Sequence, residues 1–203
     1  MGWDKFNSIA VWMIKIAYLN ILWIVFTILG FVLFGLFPAT SSMFTIVHKW
    51  FHKEHHLPIF HTFWVNYRSN FLKLNGFSFI FLIIGYILYY DFLFLQLNSG
   101  KLQFLFPIFV LISLAYVITL LFFFPVYVQF DLKFFQYIKQ SFLVAVTSPL
   151  ETLQIAIAIA ALYFIVTFLP GIIPLFTGSV LAVAMTWISY RAFRKIRLRK
   201  GLS

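Results

Sequence analysis

An all-α, polytopic membrane helix bundle of five or six transmembrane segments, with one or two amphipathic cytoplasmic helices, is predicted by three observations. Hydrophobic residues make up 63% of the 203-residue chain and charged residues 10%, against about 45–50% and about 25% in soluble domains. Apolar runs of about 20 residues, the length that crosses a hydrocarbon core of roughly 30 Å, recur along the sequence. No polar stretch is long enough for a soluble domain, so residues 1–203 are expected to form a single membrane domain. The start, MGWDKFNSIAVWMIKIAYLN, lacks a short basic segment followed by an apolar core and a small-residue cleavage site, so it reads as retained. The absence of cysteine excludes disulfides, thiol catalysis and iron–sulfur ligation.

The first fifty residues have two readings. Residues 16–37 are long enough for one span, but Gly30, Gly35 and Pro38 interrupt it. Proline lacks an amide donor and disfavours the helical conformation in the preceding residue, so GLFPATSS is expected to end one helix and begin another. A helix over 9–27 then goes out, and a shorter one over 39–50 returns. That hairpin, weakly favoured by Lys5 and Lys15, puts the N-terminus inside and gives six spans; without it there are five. Asn20, Thr40, Ser41 and Ser42 are expected to face one another across the hairpin, where small and hydroxylated residues allow close approach in lipid. A polar substrate path is the alternative for the same residues.

All five histidines fall in HKWFHKEHHLPIFH, residues 48–61. On a helix His48, His52 and His56 share a face and His55 lies three residues from His52, a spacing that brings two imidazoles to one zinc ion. The favoured reading is an interfacial elbow among Trp50, Phe51, Phe60 and Trp64, because a stable metal site needs further ligands and supporting partners. Residues 58–72 read as an amphipathic helix. Spans follow over 74–95, 102–124, 153–169 and 173–190, and Pro125 is expected to end or kink the second of these. Between spans, DLKFFQYIKQSFLVAV (131–146) places Phe134, Phe135, Ile138, Phe142 and Val146 on one face, the pattern of a helix lying on the inner surface. Asp131 is expected to cap it, and Glu151 to occupy the N-terminus of the following span. Asp91 is expected to reach interfacial water.

Six of the fifteen Lys and Arg residues crowd into RAFRKIRLRK at 191–200. Beside a span such a run marks the cytoplasmic side and touches anionic lipid rather than nucleic acid. Residues 191–203 are therefore read as a basic cytoplasmic tail. By alternation the links at 98–101 and 170–174 lie outside, whereas the histidine elbow and 131–149 lie in the cytoplasm.

Several segments taken in order resemble the YesL-like family of bacterial membrane proteins. They are Asn20 with Trp23, Gly35 before Pro38-Ala39-Thr40, the Lys49-Trp50 close, LPIFHTFW and RSNF, FPVYVQFDLKFFQYIKQSF, and LPGIIPLFTGSVLAVAMTWISYRAFRKI. The resemblance spans nearly the whole chain. It implies an accessory partner of carbohydrate ABC importers with no assigned reaction, and a proline where this chain has residues 28–31.

No Ser–His–Asp order, glycine-rich phosphate loop or paired catalytic carboxylates are recognisable, so no enzymatic activity, catalytic residue or cofactor is expected. The leading expectation is a non-catalytic accessory subunit in a bacterial cytoplasmic membrane. Its expected partners are membrane lipids and importer permease or ATPase subunits, with a second copy of the chain as a further candidate. A small-molecule (sugar) permease is the first alternative, and a histidine-dependent metal or pH sensor the second. Asn20, Trp23, Gly35, Pro38, Thr40, Lys49, Pro125 and Asp131 are the candidate structural or functional residues, with His48, His52, His55 and His56 as the alternative metal set.

Overall fold

The computed structural model describes residues 2–97, 103–169, 171 and 173–199, and among these the chain is helical. Seven α-helices follow one another: α1 Gly2–Leu29, α2 Leu33–Phe51, α3 Ile59–Leu97, α4 Phe106–Gln129, α5 Phe134–Thr147, α6 Pro149–Phe168 and α7 Ile173–Arg199. Four of them contain segments long and apolar enough to cross a membrane, namely Phe6–Leu29, Ile59–Leu97, Phe106–Gln129 and Pro149–Phe168. Large apolar side chains such as Leu72, Phe79, Leu111, Phe164 and Phe168 stay exposed. A surface of this kind is stable against lipid and prone to association in water. The expected outer links at 98–101 and 170–174 fall largely outside the described residues.

The first two helices form the hairpin, but its turn lies ahead of the proline. α1 ends at Leu29 and α2 starts at Leu33, so Pro38 stands inside α2 rather than at a break. Pro38 is the sixth residue of α2, past its first turn, so the helix forgoes the bond an N–H there would give to the Phe34 carbonyl; the Pro38 carbonyl itself accepts the Ser42 hydroxyl at 2.9 Å. The reversal is made by Gly30, Phe31 and Val32. Phe31 has φ 53° and Val32 φ 63° with ψ −61°, and the Leu33 N–H donates to the Phe31 carbonyl at 2.7 Å. This is a γ-turn with a β-branched residue at its centre, a strained arrangement. Replacing Val32 with Gly is expected to raise stability by about 1 kcal/mol, because glycine adopts positive φ without the Cβ clash. Thermal unfolding in mild detergent reads the effect, and an unchanged or lower melting temperature contradicts it.

Gly35 then lets the two helices touch through their backbones. A Cβ built on it would collide with the carbonyl oxygens of Phe26, at 2.7 Å, and Thr27. On the same hairpin Trp23 Nε1 donates to Thr40 Oγ1 at 2.9 Å, and Thr40 donates in turn to the Leu36 carbonyl. Asn20 reaches a third helix. It is fully buried against α7, where its Oδ1 accepts the Ser179 N–H at 3.0 Å, and Gly178 leaves room for Asn20 and Trp23.

α2 ends where Lys53 adopts φ 68°. The Lys53 N–H donates to the Trp50 carbonyl and the Glu54 N–H to the Lys49 carbonyl, a closing motif that satisfies two of the last carbonyls of the helix. Residues 58–72 are not a separate helix. They continue without interruption into the apolar stretch as α3, whose 39 residues span about 58 Å. No proline or positive-φ residue interrupts it, and the internal Asn75 donates back to the Phe71 carbonyl. α4 likewise runs past Pro125 to Gln129, one turn further than expected.

Phenylalanine supplies much of the packing. Phe77 of α3 stacks on Phe134 of α5 with ring centroids 3.9 Å apart and meets Phe123 of α4 edge-on, while Phe44 of α2 stacks on Phe124. Such pairs add about 0.5–1.5 kcal/mol each beyond area burial. At the start of α6, buried Glu151 receives a hydrogen bond from Lys195 of α7, tying the basic tail to the bundle. That tail is no detached segment, since α7 continues helically through Arg199.

Candidate functional site

Where α2, α3, α4 and α5 meet at the histidine-bearing end, an open cleft of about 460 Å³ is lined by polar groups, among them His48, Asn66, Asn70, Lys73, Tyr127 and Tyr137. The helical repeat explains the α3 contribution. Asn66, Asn70 and Lys73 are spaced four and three residues apart, so they share one face of the helix.

A chain of hydrogen bonds ties the walls together. Tyr127 Oη donates to Asn70 Oδ1 at 2.9 Å, Asn70 Nδ2 to Asn66 Oδ1 at 2.7 Å, and Asn66 Nδ2 to Thr45 Oγ1. On the other wall His48 Nε2 meets Gln129 Oε1 at 3.1 Å. Lys73 Nζ lies over two phenol rings, 4.7 Å from the centre of Tyr137 and 5.3 Å from that of Tyr127. Lys49 lines the rim, 3.7 Å from Glu54 in an exposed ion pair.

Asp131 reaches the cleft instead of capping α5. The residue at the cap position is Lys133, whose N–H donates to Gln136 Oε1 at 3.2 Å. The outer row of α5, with Phe135, Phe142 and Val146, is exposed, whereas Tyr137, Ser141, Val144 and Ala145 are buried. The expected single apolar face is therefore divided: Phe134 and Ile138 pack inward with the buried row. Pro125 is buried in α4, one turn before Gln129.

The histidines divide as well. His48 and His52 lie with ring centroids 4.3 Å apart, but His52 Nε2 engages the Tyr190 hydroxyl at 3.1 Å and His55 packs edge-on against Trp12. Among the described residues no three His, Asp or Glu side chains come together as a metal site, so the four-histidine set does not converge. Sequence reasoning missed Asn66, Asn70, Lys73, Tyr127 and Gln129; the three-and-four spacing on α3 was the available signal.

Burial pushes the His48 imidazole below its ordinary pKa of 6.5, against the raising effect of its hydrogen bond to Gln129, while nearby His52 lowers it further. A histidine depressed in the folded state contributes stability that is complete above the unfolded value and is lost as pH falls through the folded one. The melting temperature in detergent is therefore expected to fall as the solution is acidified below pH 6.5, and His48→Gln to flatten that slope. Identical pH profiles for the two proteins contradict the assignment.

Comparison with known proteins adds sequence relationships. The family model described as "Protein of unknown function, DUF624" matches residues 16–92. The chain is 32% identical over 190 residues to the uncharacterized protein YteU of Bacillus subtilis (strain 168), covering 94% of this chain and 86% of that protein. It is 31% identical over 195 residues to YesL of the same organism, covering 96% and 92%. YesV, also from that organism, is 33% identical over 183 residues, with 90% and 88% covered. No solved structure matches the chain.

Proposed function

The chain belongs to the YesL-like DUF624 family, and from that premise we propose that it is a non-catalytic accessory subunit of a bacterial cytoplasmic membrane, partnering a carbohydrate ABC importer. The observation that carries this reading is the cleft. In a bundle that leaves many large apolar side chains exposed, hydrogen-bonding groups from four helices are gathered at one open site, beside a helix that leaves Phe135, Phe142 and Val146 uncovered. Amides, phenols and an ammonium suit recognition. Under this reading the end bearing Lys49, Lys73 and the 191–200 run faces the cytoplasm, the C-terminus is cytoplasmic, and the run contacts anionic lipid.

Isolation of the full chain from its native membrane in mild detergent tests the partnership. A permease or ATPase subunit is expected to remain bound. If none does, and proteoliposomes containing this chain alone pass sugar, the chain is a permease in its own right.

A further inference from the structure

Four amide and hydroxyl oxygens of the cleft already take a hydrogen bond from within it, while donors are left over. Asn66 Oδ1 accepts from Asn70, Asn70 Oδ1 from Tyr127, Thr45 Oγ1 from Asn66, and Gln129 Oε1 pairs with His48. The Tyr137 hydroxyl belongs to a side chain only 2% exposed. It accepts the Leu132 N–H at 3.1 Å and is approached by Lys73 Nζ at 3.5 Å. Two donors are thus aimed at its oxygen, and its own proton has no acceptor among the described residues.

Lys73 is in the same position. Its ammonium carries three N–H donors, of which one makes the long contact to Tyr137, and no carboxylate lies within 4.0 Å of it among the described residues. The two phenol faces beside it favour the charge without accepting those protons in conventional hydrogen bonds. Lys49 at the rim pairs with Glu54, and Asp131, the one carboxylate on the lining, is exposed. A partly buried cation and a buried hydroxyl with unspent protons are costly unless an acceptor meets them.

We propose that this cleft binds a phosphate-type oxyanion, held by Lys73 and the Tyr137 hydroxyl. Several oxygens on one centre match donors that converge from α3 and α5, and a charge-assisted bond to Lys73 supplies the strongest contact. The phosphate comes from a soluble phosphorylated compound or from the headgroup of an anionic lipid. Such binding needs no partner subunit: a chain that binds phosphate and retains no importer refutes the partnership and leaves the site standing.

The test uses the full chain purified in an uncharged maltoside detergent. Inorganic phosphate is titrated calorimetrically, and in parallel phosphatidate carried in the same micelles. Saturable binding of at least one is expected. Lys73→Met is expected to weaken it about tenfold or more, the scale of a hydrogen bond to a charged group, and Tyr137→Phe to weaken it severalfold. Lys139→Met, which removes an exposed charge on α5, is expected to leave it unchanged. Phosphate bound without phosphatidate identifies a soluble ligand, and phosphatidate alone identifies a lipid. Failure of both to bind, or equal losses in the Lys73 and Lys139 variants, overturns the proposal. Should Lys73→Met fail to fold, Tyr137→Phe decides, and an unchanged affinity there overturns it as well.

Discussion

Gly35→Val is expected to lower the stability of the bundle by about 3 kcal/mol, at the upper end of what overpacking costs. The atoms in the way are backbone: the carbonyl oxygens of Phe26 and Thr27 face the space a Cβ would fill, with the Phe26 oxygen 2.7 Å from it. Backbone in a helix cannot rotate aside, so α1 and α2 must separate. That separation in turn disturbs the Trp23–Thr40 hydrogen bond and the contact at Gly30, where Tyr67 Oη already stands 2.8 Å from where a Cβ would be. Gly171, with nothing within 4 Å of an added Cβ, supplies the comparison. Gly171→Ala is expected to melt as the unmodified chain does, and a Gly35→Val protein that melts alongside it contradicts the close approach.

Lys195→Met is expected to cost about 2 kcal/mol. Removing one partner of a buried ion pair costs about 3–5 kcal/mol when the other charge is left in a dry interior. Two features reduce that figure here. The Lys195 side chain is 53% exposed while that of Glu151 is 5% exposed, so water already screens one end of the pair. Glu151 also lies in the first turn of α6, where the helix dipole favours a carboxylate by about 0.3–1 kcal/mol. Glu151→Gln, which retains an acceptor for Lys195 and carries no charge, is expected to lose less. A double variant, Glu151→Gln with Lys195→Met, is expected to be less destabilised than the sum of the single changes. Additive losses measured by chemical or thermal unfolding in detergent contradict the pairing.

The class of fold was legible because lipid as solvent writes itself into composition. The apolar runs behind α3, α4 and α6 needed no partner to be recognised, and the hairpin of α1 and α2 was suggested by the interruptions at Gly30, Gly35 and Pro38. What could not be read was where backbone conformation overrides local preference. Pro38 looked like a break, yet α2 continues through it, and the reversal instead falls on Val32, a residue whose side chain argues against positive φ. The join between 58–72 and 74–95 looked like a boundary because polarity changes there, whereas helical continuity depends on backbone bonds that Asn70, Asn75 and Gly76 leave intact.

The cleft was the hardest part to foresee. Its residues come from stretches as distant as Thr45 and Tyr137, and single asparagines or tyrosines in an aromatic-rich sequence give no hint of which ones meet. The histidines were conspicuous in the sequence but are distributed by the fold: His48 turns to α4, His52 to α7 and His55 to α1.

The unbroken length of α3 has a mechanical consequence. A rod of about 58 Å crosses a hydrocarbon layer of roughly 30 Å and still has several turns beyond it. Asn66, Asn70 and Lys73 at the cleft and Asp91 near the opposite end are therefore fixed to one stiff lever. A change of tilt of about 5° moves one end of such a lever relative to the other by roughly 5 Å, comparable to one helical turn. A rigid tilt of α3 would displace its two ends in opposite directions, with no proline or positive-φ residue along the helix to absorb the change.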